Sequence, residues 1–164
     1  MTVGVGANDQ GVLGGLVAAC GASAASCRGY ADETLPQALA TTRRDLVAVL
    51  GDVRAGAPEA VVLVVGYPPL SAGDRPCEQL PVPEAALEPL ADGLARLDAM
   101  LARAAEQAGA SFLPVHREAA EHDVCGDEPW VNGLEPAPGD GEILHPGSAG
   151  MTGVAALVVD LLRR

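Results

Sequence analysis

Residues 60–65 read AVVLVV, six apolar residues in a row with no polar residue between them. A strand with one wet face would alternate. An unbroken, Val-rich run this short fits a strand covered on both faces. Such cover is supplied by helices, and helical patterns flank the run. Before it, from Asp32 onward, Leu35, Leu39, Leu46, Val49, Leu50 and Val53 recur at three- and four-residue steps, with Gly56 placed to end the helix and Pro58 beyond it. After it, Leu87, Leu90, Leu94, Leu97, Leu101, Ala104 and Ala108 predict a helix over 84–107, closed by Gly109.

Two shorter apolar segments, 2–6 and 111–115, read as further strands. The segment from the end of the first of these to Tyr30 is rich in Gly and Ala and reads as loop or short helix. Residues 117–143 are irregular, with Pro129, Pro136 and Pro138. A last helix is expected over about 148–162, with Met151, Val154, Leu157, Val158, Leu161 and Leu162 inward. Strand and helix in alternation predict an α/β fold with a parallel sheet. At 164 residues the chain is expected to be one domain, 1–164. Ligands of such folds bind beyond the carboxyl ends of the strands. Here those ends carry Gly6-Ala7-Asn8-Asp9, the loop 66–83, and the long loop that closes at His145.

Aromatic residues make up only 2% of the chain, so the core must be built from Ala, Val and Leu. The net charge is −12, with ten Arg and no Lys. This argues against nucleic acid and against an anionic membrane surface as partners, since both recruit clustered cations. No apolar stretch is long enough to span a bilayer, and no signal-peptide pattern precedes the first strand. Cys20, Cys27, Cys77 and Cys125 fit no zinc spacing. They read either as reduced thiols of a cytosolic protein or as two disulfides made in an oxidising compartment. The second reading is favoured, and of the three possible pairings the preferred one joins Cys20 to Cys27 and Cys77 to Cys125.

Gly4-Val5-Gly6 is an incomplete dinucleotide fingerprint, because position 9 is Asp rather than the third glycine. Asn8 and Asp9 can each begin a turn. Asn8 can also offer its amide N–H to a developing oxyanion. His145, in EILHPGSAG, is held between a Pro-fixed turn and a helix start, the setting of a general base. Glu142, by its side chain or its carbonyl, stands three residues before it. Trp130 either caps the core under a loop or walls an apolar pocket. His116 and His122 lack a comparable setting, and His122 with Asp123 gives too few ligands for a metal. Neither a metal nor a cofactor is expected.

The running order GVGAND, two close cysteines, APEAVVLVVGYP, HDVCGDEPWVNG and LHPGSAGM resembles that of the SGNH (GDSL-like) hydrolases, especially secreted actinobacterial lipases and esterases. The resemblance implies a three-layer α/β/α fold with a flavodoxin-like parallel sheet, N-terminally incomplete, and hydrolysis of small-molecule or lipid carboxylic esters. It implies Asn8 as an oxyanion donor, with Gly6 in the same block, His145 as base and Glu142 as the acid position, where the family usually has Asp. It implies both cysteine pairings, an extracellular location and a monomer when complete. Members carry a nucleophilic serine in a GDS block. Ser23, Ser26, Ser71, Ser111 and Ser148 stand in no GDS or GxSxG setting, and Ser148 is expected to cap a helix. The resemblance therefore implies the C-terminal two-thirds of such a hydrolase, inactive as it stands. The rival reading is a non-catalytic module that holds an acyl chain or glycan.

Overall fold

The computed structural model of the protein describes residues 1–71 and 76–163. Three strands, β1 (Thr2–Val3), β2 (Leu63–Val65) and β3 (Ser111–Leu113), form a parallel sheet in the order β1-β2-β3. Thr2 lies opposite Leu63, and Leu63 opposite Ser111. Side chains of β2 alternate between two cores. Val62 and Val64 enter the larger one, while Leu63 joins a second with Leu113, Val115 and Ala119. This is the two-sided burial that the unbroken run requires.

The strands are shorter than the apolar segments that announce them. Gly6 at φ +111° turns the chain out of the sheet after β1. Pro114, with no N–H to donate, follows β3 directly. Val61 is 62% exposed, and its carbonyl accepts the N-terminal ammonium at 2.6 Å.

The Gly/Ala-rich segment is helical: α1 (Val12–Ala22) is followed by α2 (Ala24–Gly29). A π-helical turn (Tyr30–Thr34) then leads into α3 (Leu35–Gly56). Next come α4 (Glu84–Gln107), the short α5 (Val115–Glu118) and α6 (Ser148–Leu162). Helix α3 buries Leu35, Leu39, Leu46 and Leu50 as expected, and Thr42 with them. Val49 is 49% exposed, a correction to its inward assignment, because that flank of the stripe is left open to solvent. Helix α4 carries ten buried residues from Ala86 to Ala105 and packs on α1, α2 and α3. Gly93 permits this approach, since a β-carbon there would run into the Leu16 side chain of α1.

On the other face of the sheet, Val154, Leu157, Val158 and Leu161 of α6 pack on the second core. Met151 and Leu162, near the two ends of the 15-residue α6, are exposed rather than inward, because strands of two or three residues give the helix too short a surface to cover both ends. The result is a three-layer α/β fold with a small, incomplete parallel sheet. Cys20–Cys27 joins α1 to α2, and Cys77–Cys125 joins the loop after β2 to the loop after α5. Among the described residues no helix is long and apolar enough to cross a membrane.

Candidate active site

Asn8 follows β1 on a turn that the rest of the fold clamps. The Ala7 carbonyl accepts from the Leu13 N–H at 2.9 Å, and Ala7 is buried. The Gly11 carbonyl accepts from the Tyr30 hydroxyl at 2.6 Å. Asn8 precedes a 3-10 turn (Asp9–Gly11), yet its side chain makes no capping bond. Its amide is thus not spent on the helix start, the usual occupation of such a residue.

His145 closes the loop before α6. Its Nδ1 lies 3.0 Å from the Ile143 carbonyl oxygen. A carbonyl only accepts, so Nδ1 carries the proton and the neutral ring keeps its lone pair on Nε2. The orienting group is therefore the Ile143 carbonyl. Glu142 is exposed, and its own carbonyl accepts from the His145 N–H at 3.3 Å and from Asn132 Nδ2 at 3.1 Å. Leu144, between them, sits in the left-handed region at φ +57°. Such strain in a non-glycine residue needs support from its surroundings.

Helix α6 begins at Ser148 with Gly147 as its N-cap, so Ser148 is not the cap itself. The Ser148 N–H instead donates to Asp140 Oδ1 at 2.7 Å, and hydrogen bonding from the Ser148 side chain, then from this N–H, holds the Asp140 carboxyl below the usual carboxylate range. A carboxylate at a helix N-terminus also suits the helix dipole.

Asn8 and His145, 137 residues apart in sequence, line one cavity of about 350 Å³. Its walls are otherwise mostly apolar. Leu13, Gly14, Val17 and Ala18 come from α1, Tyr67 from the end of β2, and Ile143, Leu144 and Pro146 from the histidine loop. Burial pushes the Tyr67 hydroxyl above its ordinary range. The size and lining suit a small apolar ligand with a few polar contacts. Among the described residues no Ser, Thr or Cys lines the cavity. A larger open groove of about 660 Å³ lies between α4 and the α2 region, lined by Arg28, Arg96, Arg103, Asp32, Glu88 and Asp92 among others. It gathers salt-forming side chains but no histidine, so the smaller cavity is the better candidate.

Gly6 does not line the cavity. It is buried at φ +111°, and a β-carbon there would lie 3.0 Å from Leu101 Cδ2, so its contribution is to shape the turn before Asn8. Trp130 does not line it either. Its ring stacks on His122 with centroids 4.6 Å apart, and any side chain at Gly153 of α6 would collide with it. It braces α6, as a core-capping residue would. His116 lies behind Tyr67 with Asp98, where burial lowers its pKa.

Sequence reasoning missed Tyr67 and the α1 wall. The α1 signal was present, with Val12, Leu16 and Cys20 on one stripe and Leu13 and Val17 on the next, but the glycines obscured it.

The family model of the GDSL-like Lipase/Acylhydrolase family matches residues 1–152. Lipase 1 of Streptomyces coelicolor is 27% identical over 161 residues, which cover 93% of this chain and 56% of that lipase. The chain thus spans about half the length of that relative. Among solved structures, phospholipase A1 from Streptomyces albidoflavus superposes with a TM-score of 0.72 at 24% identity, over 97% of this chain and 66% of the other. The extracellular lipase from Streptomyces rimosus superposes with a TM-score of 0.66 at 23% identity, over 94% and 67% respectively. With the cavity, the parallel sheet and the order of its motifs in agreement, the chain belongs to the GDSL-like lipase/acylhydrolase family.

Proposed function

We propose that this chain carries the base and oxyanion half of a serine carboxylic-ester hydrolase, acting on a small-molecule or lipid ester outside the cell. The observation that carries the reading is the shared cavity of Asn8 and His145, with the imidazole proton fixed on Nδ1 by the Ile143 carbonyl. In such a site a serine hydroxyl attacks the ester carbonyl while Nε2 of His145 takes its proton. The carbonyl oxygen becomes an oxyanion and is met by the Asn8 amide. Collapse expels the alcohol, which receives the proton from His145. Water then repeats the cycle on the acyl-serine. The apolar wall of Leu13, Val17 and Leu144 supports an acyl chain as the part of the substrate bound there.

The serine itself is not supplied by any lining residue. The isolated chain is therefore expected to bind without turnover. The lack of a lining Ser, Thr or Cys among the described residues also favours, as a second reading, a module that only holds an acyl group. A chimera that places a serine-bearing GDS segment of a family member ahead of this chain separates the two. The chimera is expected to hydrolyse p-nitrophenyl butyrate and octanoate, whereas this chain alone is not. In the chimera, His145→Ala should lower kcat by about 10²–10⁴-fold and Asn8→Ala by about 10²–10³-fold. A folded chimera with no turnover, or turnover indifferent to His145, would overturn the hydrolase reading. Location outside the cell is supported by the two disulfides and by the likeness to an extracellular lipase.

A further inference from the structure

Asn132 is 8% exposed and lines no cavity described above. Its main-chain N–H donates to the His145 carbonyl at 2.9 Å, and its carbonyl accepts from the Leu144 N–H at 3.1 Å. Its side-chain Nδ2 donates to the Asp140 carbonyl at 2.8 Å and to the Glu142 carbonyl at 3.1 Å. One buried residue thus bonds to four of the six residues from 140 to 145. A β-bridge pairs its neighbour Val131 with Pro146, so the clamp continues past the histidine.

We propose that Asn132 is a positioning residue for His145, fixing the tautomer of the imidazole through the loop. The ring keeps its proton on Nδ1 only while the Ile143 carbonyl stays aimed at it. That carbonyl belongs to a peptide flanked by Glu142, whose oxygen Asn132 holds, and by Leu144, whose left-handed φ of +57° Asn132 supports through the main chain. Left alone, a leucine there would relax toward negative φ, and the Ile143 carbonyl would swing away. The side chain must be an amide. Two carbonyl oxygens converge on Nδ2, and only a donor satisfies them. Aspartate has the same shape but, ionised, only accepts, so it would meet both oxygens with its charge.

The proposal rests on His145 as the base, but its test needs no ester turnover. In the native chain, nitrogen NMR of the imidazole at alkaline pH, where the ring is neutral, should show the Nδ1–H form. In Asn132→Asp the population should shift toward Nε2–H, the commoner form of free histidine, with far-ultraviolet circular dichroism unchanged. Asn132→Ala, which adds no charge, gives the same reading if the aspartate variant does not fold. Lower thermal stability with the Nδ1–H form retained in a folded variant would mark a purely structural role and overturn the proposal. So would an Nε2–H ring in the native chain. In the serine-bearing chimera the same substitutions should lower kcat with KM little changed. An equal loss carried by KM alone would contradict the positioning role.

Discussion

Two single residues show how the cavity is set against the rest of the fold. Gly14 stands inside α1, where glycine costs roughly 0.5–1 kcal/mol relative to alanine. No heavy atom lies within 4 Å of where its β-carbon would be, and the residue lines the cavity. No packing demand explains it, and its missing side chain leaves the cavity wall open there. Gly14→Ala should therefore raise the melting temperature by about 1–4 °C, while narrowing the cavity. A fall in melting temperature would show an unseen steric demand. Asp98, behind Tyr67, has the opposite character. Burial raises its carboxyl to about 6, against the pull of Arg117, and its Oδ1 has no hydrogen-bond partner among the described residues. A raised carboxyl favours the protonated folded state. Its contribution to stability is full below the ordinary value of 3.8 and is lost as pH rises through about 6. Asp98→Asn should consequently stabilise the protein at neutral pH and have little effect near pH 3.8, read from melting temperatures across that window. A larger gain at the acid end would contradict the burial of an unpartnered carboxylate.

Elements differ in how openly the sequence declares them. Helix α4 begins and ends where its periodicity and Gly109 place it, because a leucine stripe of that length has one packing solution. The strands were found but drawn too long, since an apolar run does not reveal where Pro114 or Gly6 ends the ladder. Asn8 and His145 were legible from short motifs at strand ends and do meet in one cavity. Trp130 and the Ile143 carbonyl were not, because a ring's neighbours and a backbone oxygen's direction depend on loop geometry that periodicity does not encode. Asn132 was hidden for the same reason.

The two disulfides also act at this scale. Cys77–Cys125 closes 48 residues and lies beside Gln79, which receives the Leu134 N–H on its carbonyl and the Glu135 N–H on its side chain. That staples the loop carrying Asn132. Replacing both cysteines by Ala should cost about 2–4 kcal/mol and speed amide exchange at Leu144 and His145. Unchanged exchange there would disconnect the bridge from the histidine loop.

At the scale of the molecule, an acidic α/β layer structure has β1 at the edge of its sheet, with Thr2 of the strand and Val5 just beyond it exposed. An open parallel edge is a place where another strand can pair, and the cavity opens past the carboxyl end of the same strand. The site and the edge therefore belong to one region, built from β1, α1 and the histidine loop. What the fold supplies there is a held imidazole, an unspent amide and an apolar wall. Titration of the isotope-labelled chain with octanoate, an acyl chain ending in a carboxylate, asks whether those three parts form one binding site. Saturable NMR shifts confined to the Asn8 side-chain amide, the His145 ring, Val17 and Leu144 are the expected result. Shifts gathered instead along Arg28, Arg96 and Arg103, or no saturation at all, would contradict it.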